Sequence, residues 1–271
     1  MSNKPLILIT NDDGINSPGL HAAAAGVADL GELLIMAPSR QQTGAGRSYP
    51  VNADRSIHNL TLSLAGRDYP AYTADVSPAQ AVLLAVKQLA PRPIDLCISG
   101  INYGENIGSG VTISGTVGAA IDAACFNIPA IAVSLETPKE LHHSLSPDTD
   151  FSVAAHFARH FARQVLSKGL PPGVDFLKVD VPDTATPATS WRMASVSRQR
   201  YYDLVHGPRD EPHDPDDIDY RINLIRELVE PESDVYAFAI DRLVAVSPMT
   251  VDLTAPIALA EMTQFFGRKL D

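Results

Sequence analysis

Leu6-Ile7-Leu8-Ile9-Thr10-Asn11-Asp12-Asp13-Gly14-Ile15-Asn16-Ser17-Pro18-Gly19 opens as a continuous apolar run of strand length and breaks into polar turn residues, two of them adjacent carboxylates. An alanine-rich helical stretch follows from Gly19 to Leu30, so these residues form one β-α step. The step recurs along the chain. Leu33 to Ala37 repeats the strand pattern before Pro38, and Pro38 to Pro50 is a loop rich in Gly, Ser and Gln. Residues 51–73 read as short strands and turns. Ser77-Pro78 marks a helix start, since serine caps free N–H groups and proline fits the first helical position; the helix runs to about Leu89, before Pro91 and Pro93. Asp95 to Ser99 and Ala130 to Ser134 are further buried strands, separated by a glycine-rich loop and a helix from Val117 to Phe126. An amphipathic helix, about Phe151 to Leu166, and a strand, Phe176 to Val181, complete the pattern. Short apolar runs alternating with helical stretches are the signature of a parallel sheet covered by helices, so the expected fold class is α/β, doubly wound and mostly parallel.

At roughly 150 residues per domain, 271 residues allow one large domain, or one domain with a sizeable appendage. With 45% hydrophobic and 20% charged residues the chain has the apolar mass for a full core, which excludes global disorder. A net charge of −11 argues against a sequence-independent grip on a nucleic-acid backbone, and a small anionic ligand would need local positive help. No run approaches the length of a membrane span, and Met1 to Pro5 leads straight into a buried-strand pattern, so a cytoplasmic location is expected. Cys97 and Cys125 lie inside apolar runs and read as core packing; with these two alone, a disulfide framework or a cysteine-rich zinc site is excluded.

Composition changes after residue 197. Arg198 to Asp219 is poor in aliphatics and dense in Pro and Asp around Glu211-Pro212-His213-Asp214-Pro215-Asp216-Asp217, and reads as an exposed excursion. Val235 to Ile240 and Leu243 to Ser247 are strand-like, followed by Thr250 to Leu253 and a short helix from Pro256 to Phe266. This tail is too small for its own core and is expected to pack on the main domain or on another subunit. The expected organisation is a core over residues 1–197, an extended arm over 198–254 and a C-terminal helix over 255–271.

Ligands of an open parallel sheet bind beyond the carboxyl ends of its strands, which selects three loops. The first carries Asp12 and Asp13. Two adjacent carboxylates repel unless something positive lies between them, and a hard divalent cation such as Mg²⁺ or Mn²⁺ relieves that repulsion. Asn-Asp-Asp-Gly is also favourable as an ordinary turn; the position after a buried strand raises the metal reading. The second loop, Pro38 to Ser48, offers hydroxyls, glycines and two arginines, suited to a neutral oxygen ligand and to phosphate, or to a flexible connection. The third runs from Ser99 to Gly110. It has neither the Gly-Lys-Ser/Thr of a Walker loop nor a dinucleotide fingerprint, which disfavours a nucleoside-triphosphate or NAD site. Beyond it, Ser114 or Thr116 caps a helix whose first N–H groups and dipole make a phosphate cradle, or a plain helix start. Dicarboxylate, amide-rich loop and helix N-terminus at one sheet edge together describe metal-assisted phosphoryl chemistry. There is no Gly-x-Ser-x-Gly elbow, and the dicarboxylate after the first strand is Asp-Asp rather than Asp-x-Asp, so a covalent intermediate is not indicated. His142 and His143 read as exposed loop residues, and Tyr103, Tyr201, Tyr202 and Trp191 as packing residues able to stack on a base.

The chain resembles the SurE family of survival-protein 5′-nucleotidases through Ile9-Thr10-Asn11-Asp12-Asp13-Gly14 with Gly19, Ala37-Pro38 with Thr43-Gly44, Ser99-Gly100-Ile101-Asn102 with Gly104 and Asn106, and Ser114-Gly115-Thr116. Weaker echoes at Leu170-Pro171-Pro172-Gly173 and at Ser247-Pro248 before Thr250 extend the match through nearly the whole chain. The resemblance implies a Rossmann-like fold with a protruding C-terminal β-hairpin arm, exchanged between subunits to build a homodimer or homotetramer. It implies a metal-dependent phosphomonoesterase, a hydrolase acting on nucleoside 5′-monophosphates by water attack, with 3′-monophosphates and short polyphosphate as further substrates. One divalent metal ion per subunit, Mg²⁺ or Mn²⁺, is then held by Asp12, Asp13, Thr43 and Asn102. Asp12, Asp13 and Asn102 become the catalytic residues, and Asn11, Gly44, Asn106, Ser114, Gly115 and Thr116 bind phosphate and substrate. Thr43 departs from the family's serine by a methyl group, and Thr73-Ala74-Asp75-Val76-Ser77-Pro78 departs from its usual Gly-Thr-Pro-Ala-Asp-Cys on the substrate side of the cleft. A non-catalytic nucleotide-binding or sensing protein with the same cleft is the alternative, and neither a nucleic-acid polymer nor a membrane is an expected partner.

Overall fold

The computed structural model describes residues 4–205 and 219–267. Its elements run β1 (Leu6–Thr10), α1 (Pro18–Val27), β2 (Glu32–Pro38), β3 (Asp54–Leu64), β4 (Arg67–Asp75), α2 (Pro78–Leu84, prolonged by a π-helical turn, Ala85–Leu89), β5 (Leu96–Tyr103), α3 (Gly115–Cys125), β6 (Ala130–Leu135), α4 (Ser152–Lys168), β7 (Phe176–Val181), β8 (Trp191–Met193), β9 (Tyr202–Val205), β10 (Asp219–Ile222), β11 (Val244–Met249) and α5 (Leu259–Phe266). Nine of these strands form one sheet in the order β3-β4-β2-β1-β5-β6-β7-β11-β8. The run from β4 to β7 is parallel throughout, whereas β3 pairs antiparallel to β4 and β11 antiparallel to β7.

Successive strand side chains point to opposite faces, and helices cover both faces here, which is why the central strands are apolar without alternation. Ile7, Ile9, Ile35 and Ile98 pack with residues of α1 and α4 on one face. Leu8, Met36, Cys97 and Ala132 pack with α2 and α3 on the other. The helix starts follow their sequence signals: Ser77 and Gln80 form a reciprocal capping box on α2, and Ser114 Oγ accepts from Val117 N at 3.1 Å on α3. Among the described residues no helix is long and apolar enough to cross a membrane.

Several expectations are corrected. Val235 to Ile240 is not a strand but leads into a π-helical turn, Tyr236–Ile240, which buries the consecutive Ala237 and Phe238 in one small apolar cluster; a strand would send them to opposite sides. β11, inside the stretch read as arm, belongs to the main sheet, so the part standing off it among the described residues is the β9–β10 antiparallel pair. The Glu211 to Asp217 motif lies outside the described residues. Cys97 is buried as expected, but Cys125 is exposed, on the solvent side of the last turn of α3.

Candidate active site

β1 and β5 pair in parallel from Ile7↔Leu96 to Thr10↔Ser99, and β1 and β2 pair likewise, so the three strand exits gather at one edge of the sheet. The β1 exit closes on itself. Asn11 Nδ2 donates to Gly14 O and Gly14 N donates to Asn11 Oδ1, both at 3.1 Å. Both ends of the Asn11 amide are therefore spent on building the turn that carries Asp12 and Asp13.

The two carboxylates are 5% and 2% exposed. Asp12 Oδ1 accepts from Thr116 Oγ1 at 2.5 Å, which ties it to the N-terminus of α3. A Cβ on Gly115 would stand 2.7 Å from Asp12 Cβ, so this approach requires glycine. Asp13 Oδ1 accepts from Gln41 Nε2 at 2.8 Å, and Oδ2 from Tyr103 N at 3.4 Å. Gln42 N donates to Asp12 O at 2.7 Å and pins the second loop against the first. Burial pushes Asp12 up to about 6, against the downward pull of the Thr116 hydroxyl. Burial and then the neighbouring Asp12 charge push Asp13 well above the usual carboxylate range. Among the described residues no Lys, Arg or His forms an ion pair with either group. Two buried like charges without a protein cation fit a divalent ion bound through oxygen.

Asn102 spends its amide nitrogen on the backbone. Its Nδ2 donates to Tyr103 O at 3.1 Å and to Gly104 O at 2.7 Å, leaving Oδ1 as the amide atom for a ligand. Thr43 lies on the exposed loop one residue beyond Gln42, and Gly44 beside it has open space around it; neither hydrogen-bonds the carboxylates. Ser114 caps α3, while Asn106 is scaffolding, its N donating to Asp180 Oδ1 at 2.7 Å and its Nδ2 to Ser134 Oγ at 2.9 Å. Direct contact thus unites Asp12 with Gly115 and Thr116, and Asp13 with Gln41 and with the last residue of β5, Tyr103. The stretch 73–78 braces the second loop: Asp75 pairs with Arg40 at 3.0 Å, and Ser77 Oγ donates to Ser48 O at 2.6 Å. Arg47 and Tyr49 anchor the same loop on buried Asp122, at 2.9 and 2.7 Å.

Gln41 escaped the sequence reading, because nothing local separates it from Gln42. Its Nε2 also donates to His142 O at 2.6 Å. His142, expected to be exposed, is half-buried: its Nδ1 lies 2.5 Å from Tyr220 Oη and its Nε2 3.1 Å from Thr137 O. The ring packs over Gly104, where a Cβ would come within 2.6 Å of Nε2, and burial lowers the imidazole pKa. Long-range folding of the loop after β6, rather than any local pattern, brings it here.

The family model described as Survival protein SurE matches residues 7–203. The chain belongs to the SurE family. Over 259 residues it is 39% identical to the 5′-nucleotidase SurE of Thermococcus kodakarensis, covering 94% of this chain and 96% of that protein. It is 38% identical over 257 residues to the 5′-nucleotidase SurE of Methanocella arvoryzae, covering 92% and 93%. The crystal structure of the SurE protein from Aquifex aeolicus, 24% identical, aligns with a TM-score of 0.76 over 97% of this chain and 100% of that one, a likeness of fold. In this SurE chain the carboxylate pair lies against the positive end of α3 at one sheet edge, a combination suited to holding a cation and a phosphate together.

Proposed function

We propose that this chain is a 5′-nucleotidase, a hydrolase that releases phosphate from nucleoside 5′-monophosphates with one Mg²⁺ or Mn²⁺ at the Asp12–Asp13 site. The observation that carries the reading is the buried carboxylate pair, at the N-terminus of α3, with no ion pair to a protein cation among the described residues. Asp12 Oδ2, Asp13 and Asn102 Oδ1 would hold the ion, with Thr43 completing the set when its loop approaches. When bound, the ion polarises phosphoryl oxygens and lowers the pKa of a bound water. Thr116 holds Asp12 in one orientation, and Gln41 does the same for Asp13, so neither carboxylate needs to reorganise during the reaction. In this reading Asp12 also accepts the proton of the attacking water. The α3 N-terminus, with the Ser114 hydroxyl and the Gly115 N–H, supplies the positive potential on which the phosphate settles.

The relatives' printed activity supports the 5′-nucleotide class. Assembly as a homo-oligomer is part of the same proposal, supported by Leu253, Leu259, Phe265 and Phe266, which stand exposed on a C-terminal segment with no buried residue among those described. The test of the chemistry is phosphate release from AMP by metal-stripped protein, with Mn²⁺, Mg²⁺ or neither, for wild type and Asp13→Ala. Metal-dependent release that falls at least about 1,000-fold in the variant is expected. Turnover without metal, or retained in a folded Asp13→Ala protein, overturns the assignment. A wider panel of 3′-monophosphates and short polyphosphate sets the substrate range.

A further inference from the structure

The two carboxylates of the site are held by different parts of the molecule. Asp12 is tied to Thr116 at the start of α3, a helix packed on the main sheet. Asp13 leans on Gln41, whose single amide nitrogen spends both of its hydrogens, one on Asp13 Oδ1 at 2.8 Å and one on the carbonyl of His142 at 2.6 Å. An amide bonded to the carboxylate alone would swing with it. The second bond gives Gln41 a fixed point, so the loop after β6 decides where the amide stands.

His142 is itself held from two sides. Burial lowers its imidazole pKa, so near pH 7 the ring is neutral and carries one proton. Nε2 lies 3.1 Å from Thr137 O, and a carbonyl only accepts; the proton therefore sits on Nε2, and Nδ1 accepts from the Tyr220 hydroxyl at 2.5 Å. The two rings stack, 5.8 Å apart and 18° from parallel. The imidazole also rests on Gly104, where a Cβ would stand 2.6 Å from Nε2, and Gly104 O accepts from Asn102 Nδ2 at 2.7 Å. Tyr220 belongs to β10, and the β9–β10 pair is pinned in turn by Tyr202, whose hydroxyl donates to Glu105.

We propose that Tyr220, His142 and Gln41 are positioning residues that carry the seating of the β9–β10 pair to Asp13, so that this pair, outside the main sheet, sets how tightly the site holds its divalent ion. The inference rests on the metal reading of the Asp12–Asp13 site and adds a control on it. Each residue acts through the next, and the last, Gln41, orients the carboxylate before the ion arrives. Loss of such an outer partner typically costs about 10–100-fold in metal affinity. A displacement of the β9–β10 pair therefore reaches the ion through Asp13 while Asp12 stays fixed by α3.

The test is calorimetric titration of metal-stripped protein with Mn²⁺ at about pH 7.5, for wild type, Gln41→Met, Tyr220→Phe and the double variant. Methionine keeps the length of glutamine without its donors, and phenylalanine keeps the stacked ring without its hydroxyl. The Mn²⁺ dissociation constant is expected to rise about 10–100-fold in Gln41→Met and about 2–10-fold in Tyr220→Phe. Because Tyr220 works through Gln41, the double variant stays near Gln41→Met, short of the product of the two single effects. A merely structural brace would lower the thermal midpoint and leave the affinity of the folded protein unchanged. An unchanged constant in either single variant, or effects that multiply in full, overturns the proposal. If wild type takes up no Mn²⁺, the metal reading fails by itself, and urea unfolding of the same four proteins decides the relay: a double loss of stability smaller than the sum of the single losses supports it, and losses that add overturn it.

Discussion

Replacing Lys178 by methionine should cost about 3–5 kcal/mol of stability, the range for a buried charge cluster that loses one partner. Lys178 lies in β7 and is fully buried, its Nζ 2.5 Å from Asp180 Oδ2 and 3.0 Å from Asp234 Oδ2. Burial pulls the ammonium pKa down, but the two carboxylates outweigh it and hold the group charged. Those carboxylates also accept four backbone N–H groups: Asn106 on Asp180, and Gly108, Ser197 and Val235 on Asp234. The cluster therefore joins the central sheet to the segment after β5 that carries Asn106 and Gly108, and to the segment before β9. Methionine matches the volume but leaves two negative charges buried together. With a urea slope of about 1–3 kcal/mol per molar, a loss of this size moves the unfolding midpoint by at least about 1 M. Lys178→Met with Asp180→Asn should recover part of the loss, because asparagine still accepts from Asn106 N and one charge is gone. A single variant within about 1 kcal/mol of wild type, or a double variant weaker than the single, would refute the reasoning.

Two further outcomes follow from the site and the tail. In metal-free protein the folded pKa of Asp12, about 6, lies above the ordinary aspartate value of 3.8, so its ionisation opposes folding: the penalty is absent below about pH 4, grows between the two values, and reaches about 3 kcal/mol above the upper one. Saturating Mn²⁺ should then raise the thermal midpoint more at about pH 7.5 than at about pH 4.5, and a shift equally large at both, followed by differential scanning fluorimetry, counts against a metal on these carboxylates. Removal of residues 255–271 should lower the mass seen by light scattering, since it strips the exposed Leu259, Phe265 and Phe266; an unchanged oligomer would rule out this segment as the contact.

What the sequence determined by itself is local or periodic. Continuous apolar runs at Leu6 to Thr10 and Ala130 to Ser134, Ser-Pro at residues 77–78 and the Asp-Asp turn after β1 each announce their role within a few residues, because burial on two faces, helix capping and charge repulsion act over that distance. The tertiary structure decided what depends on partners far along the chain. Lys178 reads as a polar interruption of a strand until Asp234, 56 positions later in the numbering, is folded beside it. Gln41 gains its role from Asp13 and His142, and His142 its burial from Tyr220. β11 joins the sheet because an open strand edge at β7 accepts it antiparallel, a pairing with no mark in its own residues. A hydrogen bond or ion pair between distant segments leaves no periodic trace in either, so the carboxylates were legible in the sequence and the amide, imidazole and ammonium groups that hold their surroundings were not.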